Sequence, residues 1–114
     1  MFVHLRLHTE FSVVDGTNRI DEVVASAAAD GQGALAITDL SNLFGAIKFY
    51  TAARSKGVKP LLGAELLLAG PDGATPSRIV LLVQSTQGYL NLSELLARAW
   101  TRSASKTQAV ASWE

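Results

Sequence analysis

From residue 2 to residue 8 the chain alternates apolar Val3, Leu5 and Leu7 with polar His4, Arg6 and His8, the two-residue period of a strand that shows a polar row to one side. Ile20, Val23, Val24 and Ala27 then recur at helical spacing behind Thr17 and Asn18, with Asp21 and Glu22 in the first turn and Gly31 just past the end. That arrangement predicts a helix with acids where the dipole favours them and a glycine where the chain must turn. Residues 34–38 are a short apolar run between Gly33 and Asp39, consistent with a strand buried on both faces. A second helix is expected to start near Ser41 or Asn42, to bury Leu43, Ile47 and Tyr50 along one stripe, and to stop at Gly57. The aromatic group Phe44, Phe49 and Tyr50 reads as core packing.

Residues 58–68 predict a third strand interrupted by Pro60 and Gly63, and Gly70-Pro71-Asp72-Gly73 is a strong turn signal leading into another strand over 78–84. The loop over 70–77 is expected to be exposed and mobile. Ser85 or Thr86 can cap a last helix whose Leu92, Leu95, Leu96 and Ala99 share a face, ending at Trp100. Residues 101–110 lack periodicity and read as a surface connection that resumes toward Trp113. Strands alternating with helices imply right-handed crossovers and a mainly parallel sheet, of open or barrel type. Chemistry in such folds gathers at the C-terminal ends of the strands, so His8, Asp39 and Glu65 are expected to converge there.

Composition narrows the function classes. At 114 residues the chain has room for one domain and too little for separate catalytic and nucleic-acid-binding modules. A hydrophobic share of 48% against 18% charged residues argues for a real core. Ten basic residues balance ten acidic ones, so no net field holds a polyanion and direct DNA binding is not expected. The absence of cysteine excludes disulfides and thiolate zinc ligands and fits a reducing compartment. With no signal peptide and no apolar run of spanning length, a cytoplasmic location away from membranes is expected.

Specific residues carry a resemblance. The run from His4 to Gly16 (His-Leu-Arg-Leu-His-Thr-Glu-Phe-Ser-Val-Val-Asp-Gly), then Ala36-Ile37-Thr38-Asp39, Asn42-Leu43-Phe44-Gly45-Ala46, Lys48-Phe49-Tyr50 and Gly57-Val58-Lys59-Pro60-Leu61-Leu62-Gly63-Ala64-Glu65 together resemble the opening of a polymerase-and-histidinol-phosphatase (PHP) domain. The type is the one found in the alpha subunits of bacterial replicative DNA polymerases, and the resemblance runs from Phe2 to about Trp100. It implies an α/β fold, the N-terminal part of a distorted seven-stranded (β/α) barrel. Residues 1–114 would be a partial domain with its core over about 2–100 and a connection over 101–114 into a missing remainder.

Intact PHP sites hold up to three divalent metals that polarise phosphoryl oxygens and activate water for phosphoester hydrolysis. The resemblance places five ligand positions in this stretch, of which His8, Asp15 and Glu65 keep the expected residue types. Arg6 stands where the first histidine of a His-x-His pair is expected, and Leu40 stands where another histidine should follow Asp39. Neither side chain offers a lone pair. Arg6 adds a fixed positive charge whose fork suits a carboxylate such as Asp15 or Glu65, so it is expected to stand in electrostatically for a missing metal. Asp39, Glu10 and His4 are the remaining candidates in or beside this pocket: Asp39 caps the turn into the second helix or supports a ligand, and His4 is read as structural.

The resemblance therefore implies a structural and docking module with no catalytic residue and no cofactor of its own. Its partners would be the remainder of a polymerase alpha subunit and, as in lineages with degenerate sites, a proofreading exonuclease subunit. DNA-directed nucleotidyl transfer would belong to the parent chain and use carboxylates lying elsewhere. The competing expectation is an active zinc- or manganese-dependent phosphoesterase or 3′–5′ exonuclease. A third, a free-standing phosphatase related to histidinol phosphatase, fits the fold and not the polymerase-like flanks of the motifs. An incomplete barrel also predicts an uncovered edge and self-association of the isolated piece.

Overall fold

A computed structural model describes residues 2–12, 16–70, 75–102 and 109–111. The elements run α1 (Ile20–Ala29), β1 (Ala34–Leu40), α2 (Ala46–Ser55), β2 (Lys59–Leu68), β3 (Ser77–Leu82), α3 (Thr86–Arg102) and β4 (Val110–Ala111). The first two helices end the same way. Gly31 and Gly57 take φ values of +76° and +75°, which a Cβ would resist. In each case the glycine N–H and the next N–H fold back on the last turn: Gly31 to Ala28 O and Gln32 to Ala27 O, then Gly57 to Arg54 O and Val58 to Ala53 O. These caps aim the chain straight into β1 and β2. α1 itself begins at Ile20 rather than at Thr17 or Asn18, because Asn18 is bridged to Thr9, its carbonyl accepting the Glu10 N–H at 2.7 Å.

The sheet is mixed, not mainly parallel. β1 and β2 are parallel, β3 is antiparallel to β2, and β4 lies parallel to the far end of β2. The reason is local: only eight residues separate the end of β2 from the start of β3, fewer than a parallel crossover needs, so the chain returns as a hairpin. Of the loop over residues 70–77, residues 71–74 lie outside the described residues. Pro60 and Gly63 do not break β2, which is continuous for 10 residues. Gly63 is required there, since a Cβ would stand 2.4 Å from the Leu81 carbonyl oxygen of β3.

The three helices among the described residues cover one face. Leu35 and Ile37 of β1 meet Ile20, Val24 and Ala27 of α1 and Phe49 and Ala53 of α2. Further along, Ala64 and Leu66 of β2 meet Leu92, Leu96 and Ala99 of α3, together with Ala109 and Ala111. Each fully buried large side chain contributes about 1.5–3 kcal/mol, so these clusters are the main source of stability. α3 starts at Thr86 with the Ser85 hydroxyl accepting the Gly88 N–H at 3.1 Å, as the sequence predicts. α2 departs from expectation in both start and face. It begins at Ala46 and buries Ala46, Phe49 and Ala53, whereas Phe44, Ile47 and Tyr50 are exposed. Ser41 and Asn42 form the preceding corner instead: Ser41 has φ +58°, its carbonyl accepts the Trp100 indole N–H at 2.7 Å, and Asn42 Oδ1 accepts the Phe44 N–H at 3.1 Å.

The segment over residues 2–7 is not a regular strand. It runs beside β1, with Ala36 N–H donating to His4 O and Thr38 N–H donating to Leu7 O. Three residues thus span a stretch that two residues of β1 cover, and the extra residue breaks the ladder as a bulge does. The Thr38 hydroxyl repairs the gap by accepting the Leu7 N–H at 2.8 Å.

Candidate functional site

Registers decide which side chains meet. Thr38 pairs with Gly63 and Leu40 with Glu65, so Leu40 and Glu65 share the face that no helix covers. Asp39 alternates to the other face, beside Ala64. The expected convergence of His8, Asp39 and Glu65 is therefore only partly realised: His8 and Glu65 come together and Asp39 does not join them. The one-residue alternation of a strand is the whole reason.

Glu65 is 1% exposed and surrounded by cations. Arg6 grips it with both prongs, Nε to Oε1 and Nη2 to Oε2. Arg78 Nη1 donates to Oε2 at 2.8 Å, and His8 Nε2 lies 3.4 Å from the same oxygen. The Arg6 fork holds the Glu65 carboxyl down to about 2, overriding the burial that pushes it up, with Arg78 and His8 adding in the same direction. Both guanidiniums reach solvent, the Arg6 and Arg78 side chains being 60% and 49% exposed, so water screens part of this attraction.

Arg78 was not among the residues that the sequence reading singled out. Its signal is a charge at the head of an apolar run, in a hairpin whose register puts Leu67 opposite Arg78 and Glu65 opposite Val80. That makes Arg78 the diagonal neighbour of Glu65 on one face.

Asp39 is just as buried, at 1% exposure, and is met by neutral donors. Its Oδ1 accepts the Thr9 N–H at 2.5 Å and the Ser12 hydroxyl at 2.8 Å, and its Oδ2 accepts the Thr9 hydroxyl at 2.8 Å. Ser12 Oγ in turn accepts the Leu40 N–H at 3.0 Å. Asp39 therefore caps no helix; it binds the loop after His8 to the end of β1 and so fixes where His8 stands.

His4 and Glu10 lie apart from Glu65. The extra residue between His4 and Leu7 reverses the side-chain phase, and His4 lines a cleft on the helix side with Leu7, Val23, Ala27 and Leu35, its ring edge-on to Phe2 at 4.6 Å. Glu10 pairs with Lys48 at 3.2 Å, and the Lys48 ammonium holds its carboxyl below the ordinary value. Asp15 lies outside the described residues. Among the described residues no group of three or more His, Cys, Asp or Glu side chains is placed to hold a metal ion. Of the four expected ligand positions among the described residues, His8 and Glu65 can donate to a metal, and Arg6 and Leu40 supply no lone pair.

The PHP domain model matches residues 4–114. The chain belongs to the PHP family. PHP relatives include the DNA polymerase III subunit alpha of Pseudomonas aeruginosa, 46% identical over 101 residues, which cover 88% of this chain and 9% of that protein. The corresponding protein of Xylella fastidiosa is 46% identical over 113 residues, covering 87% of this chain and 9% of its own length. An error-prone DNA polymerase of Symbiobacterium thermophilum is 43% identical over 98 residues, covering 86% and 9%. This PHP chain thus spans about 9% of the curated relatives that it matches. Among solved structures, an amidohydrolase from Chromobacterium violaceum with bound sulfate and no metal superposes with a TM-score of 0.69 at 26% identity, over 87% of this chain and 33% of that one. The α/β architecture is therefore shared with that amidohydrolase. No helix among the described residues is long and apolar enough to cross a membrane.

Proposed function

We propose that this PHP chain is part of a replicative DNA polymerase alpha subunit of the polymerase III type, and that it serves there as a scaffold whose hydrolytic centre has been replaced by an ion-pair cluster. The observation that carries the reading is the two-pronged grip of Arg6 on Glu65, on the face that Leu40 shares with Glu65. A guanidinium occupies the space where a cation would neutralise that carboxylate, and it meets the same electrostatic need without offering a metal a ligand. Leu40 removes a second donor. Under this reading nucleotidyl transfer belongs to other parts of a cytoplasmic parent protein, and a proofreading exonuclease subunit is the partner that the scaffold would serve.

Elemental analysis of the purified full polypeptide tests the reading. Zinc and manganese are expected to be substoichiometric in the wild type, and Arg6→His combined with Leu40→His is expected to raise zinc to stoichiometric occupancy. Tight stoichiometric metal in the wild type, lost in His8→Ala together with a nuclease activity, would overturn it in favour of an active phosphoesterase.

A further inference from the structure

The outer face of α2 continues into a groove that the described fold leaves open. Phe44, Ile47 and Tyr50 are 71%, 81% and 46% exposed, opposite the buried Ala46, Phe49 and Ala53. Ile47, Tyr50 and Arg54 follow one another at three- and four-residue spacing, so they form a single line along the helix. The Arg54 guanidinium lies 5.7 Å from the centre of the Tyr50 ring. At Tyr50 this line meets a groove lined by Lys59, Pro60, Leu62, Tyr89 and Thr86. Scattered exposed apolar residues need no explanation, but a contiguous row beside a groove marks a contact surface.

Charge indicates what kind of contact. From residue 40 to residue 64 the chain carries Lys48, Arg54, Lys56 and Lys59 and no Asp or Glu, although basic and acidic residues balance at ten each overall. Lys48 is engaged by Glu10. Arg54, Lys56 and Lys59 pair with no carboxylate among the described residues. The surface is therefore apolar along its line and positive at the end where Arg54 and Lys59 lie.

We propose that this face docks an acidic amphipathic helix of a partner protein. Its apolar side would cover Phe44, Ile47 and Tyr50, and its carboxylates would meet Arg54 and Lys59. A nucleic acid is a poorer match, because a phosphate backbone makes no use of Ile47, the most exposed of the described large apolar residues, and two cations release few counterions. A second copy of the chain is also a poorer match, since a two-fold contact through this face would bring its unpaired cations together.

The docking surface gives content to the scaffold reading and does not depend on the Glu65 pocket. Fluorescence anisotropy on the full polypeptide, with a short synthetic helix bearing leucines on one side and glutamates on the other, provides the test. Ile47→Asp is expected to weaken binding by about tenfold or more. Arg54→Glu with Lys59→Glu is expected to do the same and to switch preference to a probe carrying lysine for glutamate. All these sites are exposed, so circular dichroism and melting should not change.

Equal binding of a scrambled probe of the same composition overturns the proposal. So does tighter binding of a single-stranded oligonucleotide, or self-association in sedimentation that Ile47→Asp abolishes. Arg6→His should leave probe binding intact and Ile47→Asp should leave metal content intact, so the docking and pocket readings fail separately.

Discussion

Asp39 and Glu65 lie on neighbouring strands and are equally buried, yet the protein compensates them by different means. Asp39 faces the helices and receives one backbone N–H and two hydroxyls, all neutral and all from Thr9 and Ser12. Glu65 faces the uncovered side and receives two guanidiniums with a histidine beside them. The first arrangement works by short hydrogen bonds in a dry, fixed setting, where the donors have no alternative partner. The second works by charge, with long side chains that reach water and can be exchanged for another cation. A buried acid thus signals a binding pocket only when its compensation comes from replaceable charge; with local neutral donors it signals a structural tie.

The sharpest way to break this comparison is at Asp39. Asp39→Ala leaves three donors without an acceptor in the interior and is expected to lower stability by about 3 kcal/mol, read from the urea midpoint. A smaller loss than that from changing Glu65 would reverse the contrast. Glu65→Gln is expected to cost about 2 kcal/mol at neutral pH, because the arginines left behind are partly hydrated.

The same carboxylate sets an acid limb. Its folded value is depressed to about 2 from 4.5. Its contribution is therefore fully present above the unfolded value and is lost as pH falls through the folded one. Urea titrations across that window should show a decline in the wild type of on the order of 2 kcal/mol that Glu65→Gln lacks. Smallest is the exposed Glu10–Lys48 pair: Glu10→Gln is expected to leave the urea midpoint unchanged within error.

Much of the frame was legible along the chain. Gly31 and Gly57 marked the ends of α1 and α2 because only a residue without a Cβ settles at those φ values, and Leu92, Leu96 and Ala99 announced the buried side of α3. The misreadings have specific causes. On α2 the larger side chains, Ile47 and Tyr50, drew the core stripe to the wrong side, when Ala46 and Ala53 are the residues small enough to let the helix approach the sheet. Near the N-terminus the alternation of His4, Arg6 and His8 looked like one polar row, and a single surplus residue against β1 turned His4 away. At the pocket, Glu65 follows from the family resemblance, and the fork of Arg6 suited either Asp15 or Glu65 as its partner. Arg78 could not be anticipated, because its place depends on a hairpin register that no local pattern states.

One feature of the sheet bears on how the chain reaches this state. β1, β3 and β4 all find their partner in β2, so a single decapeptide is the common template for every ladder, and no part of the sheet can assemble ahead of it. The same decapeptide holds Glu65, so the arginine cage can close only once this strand is in place.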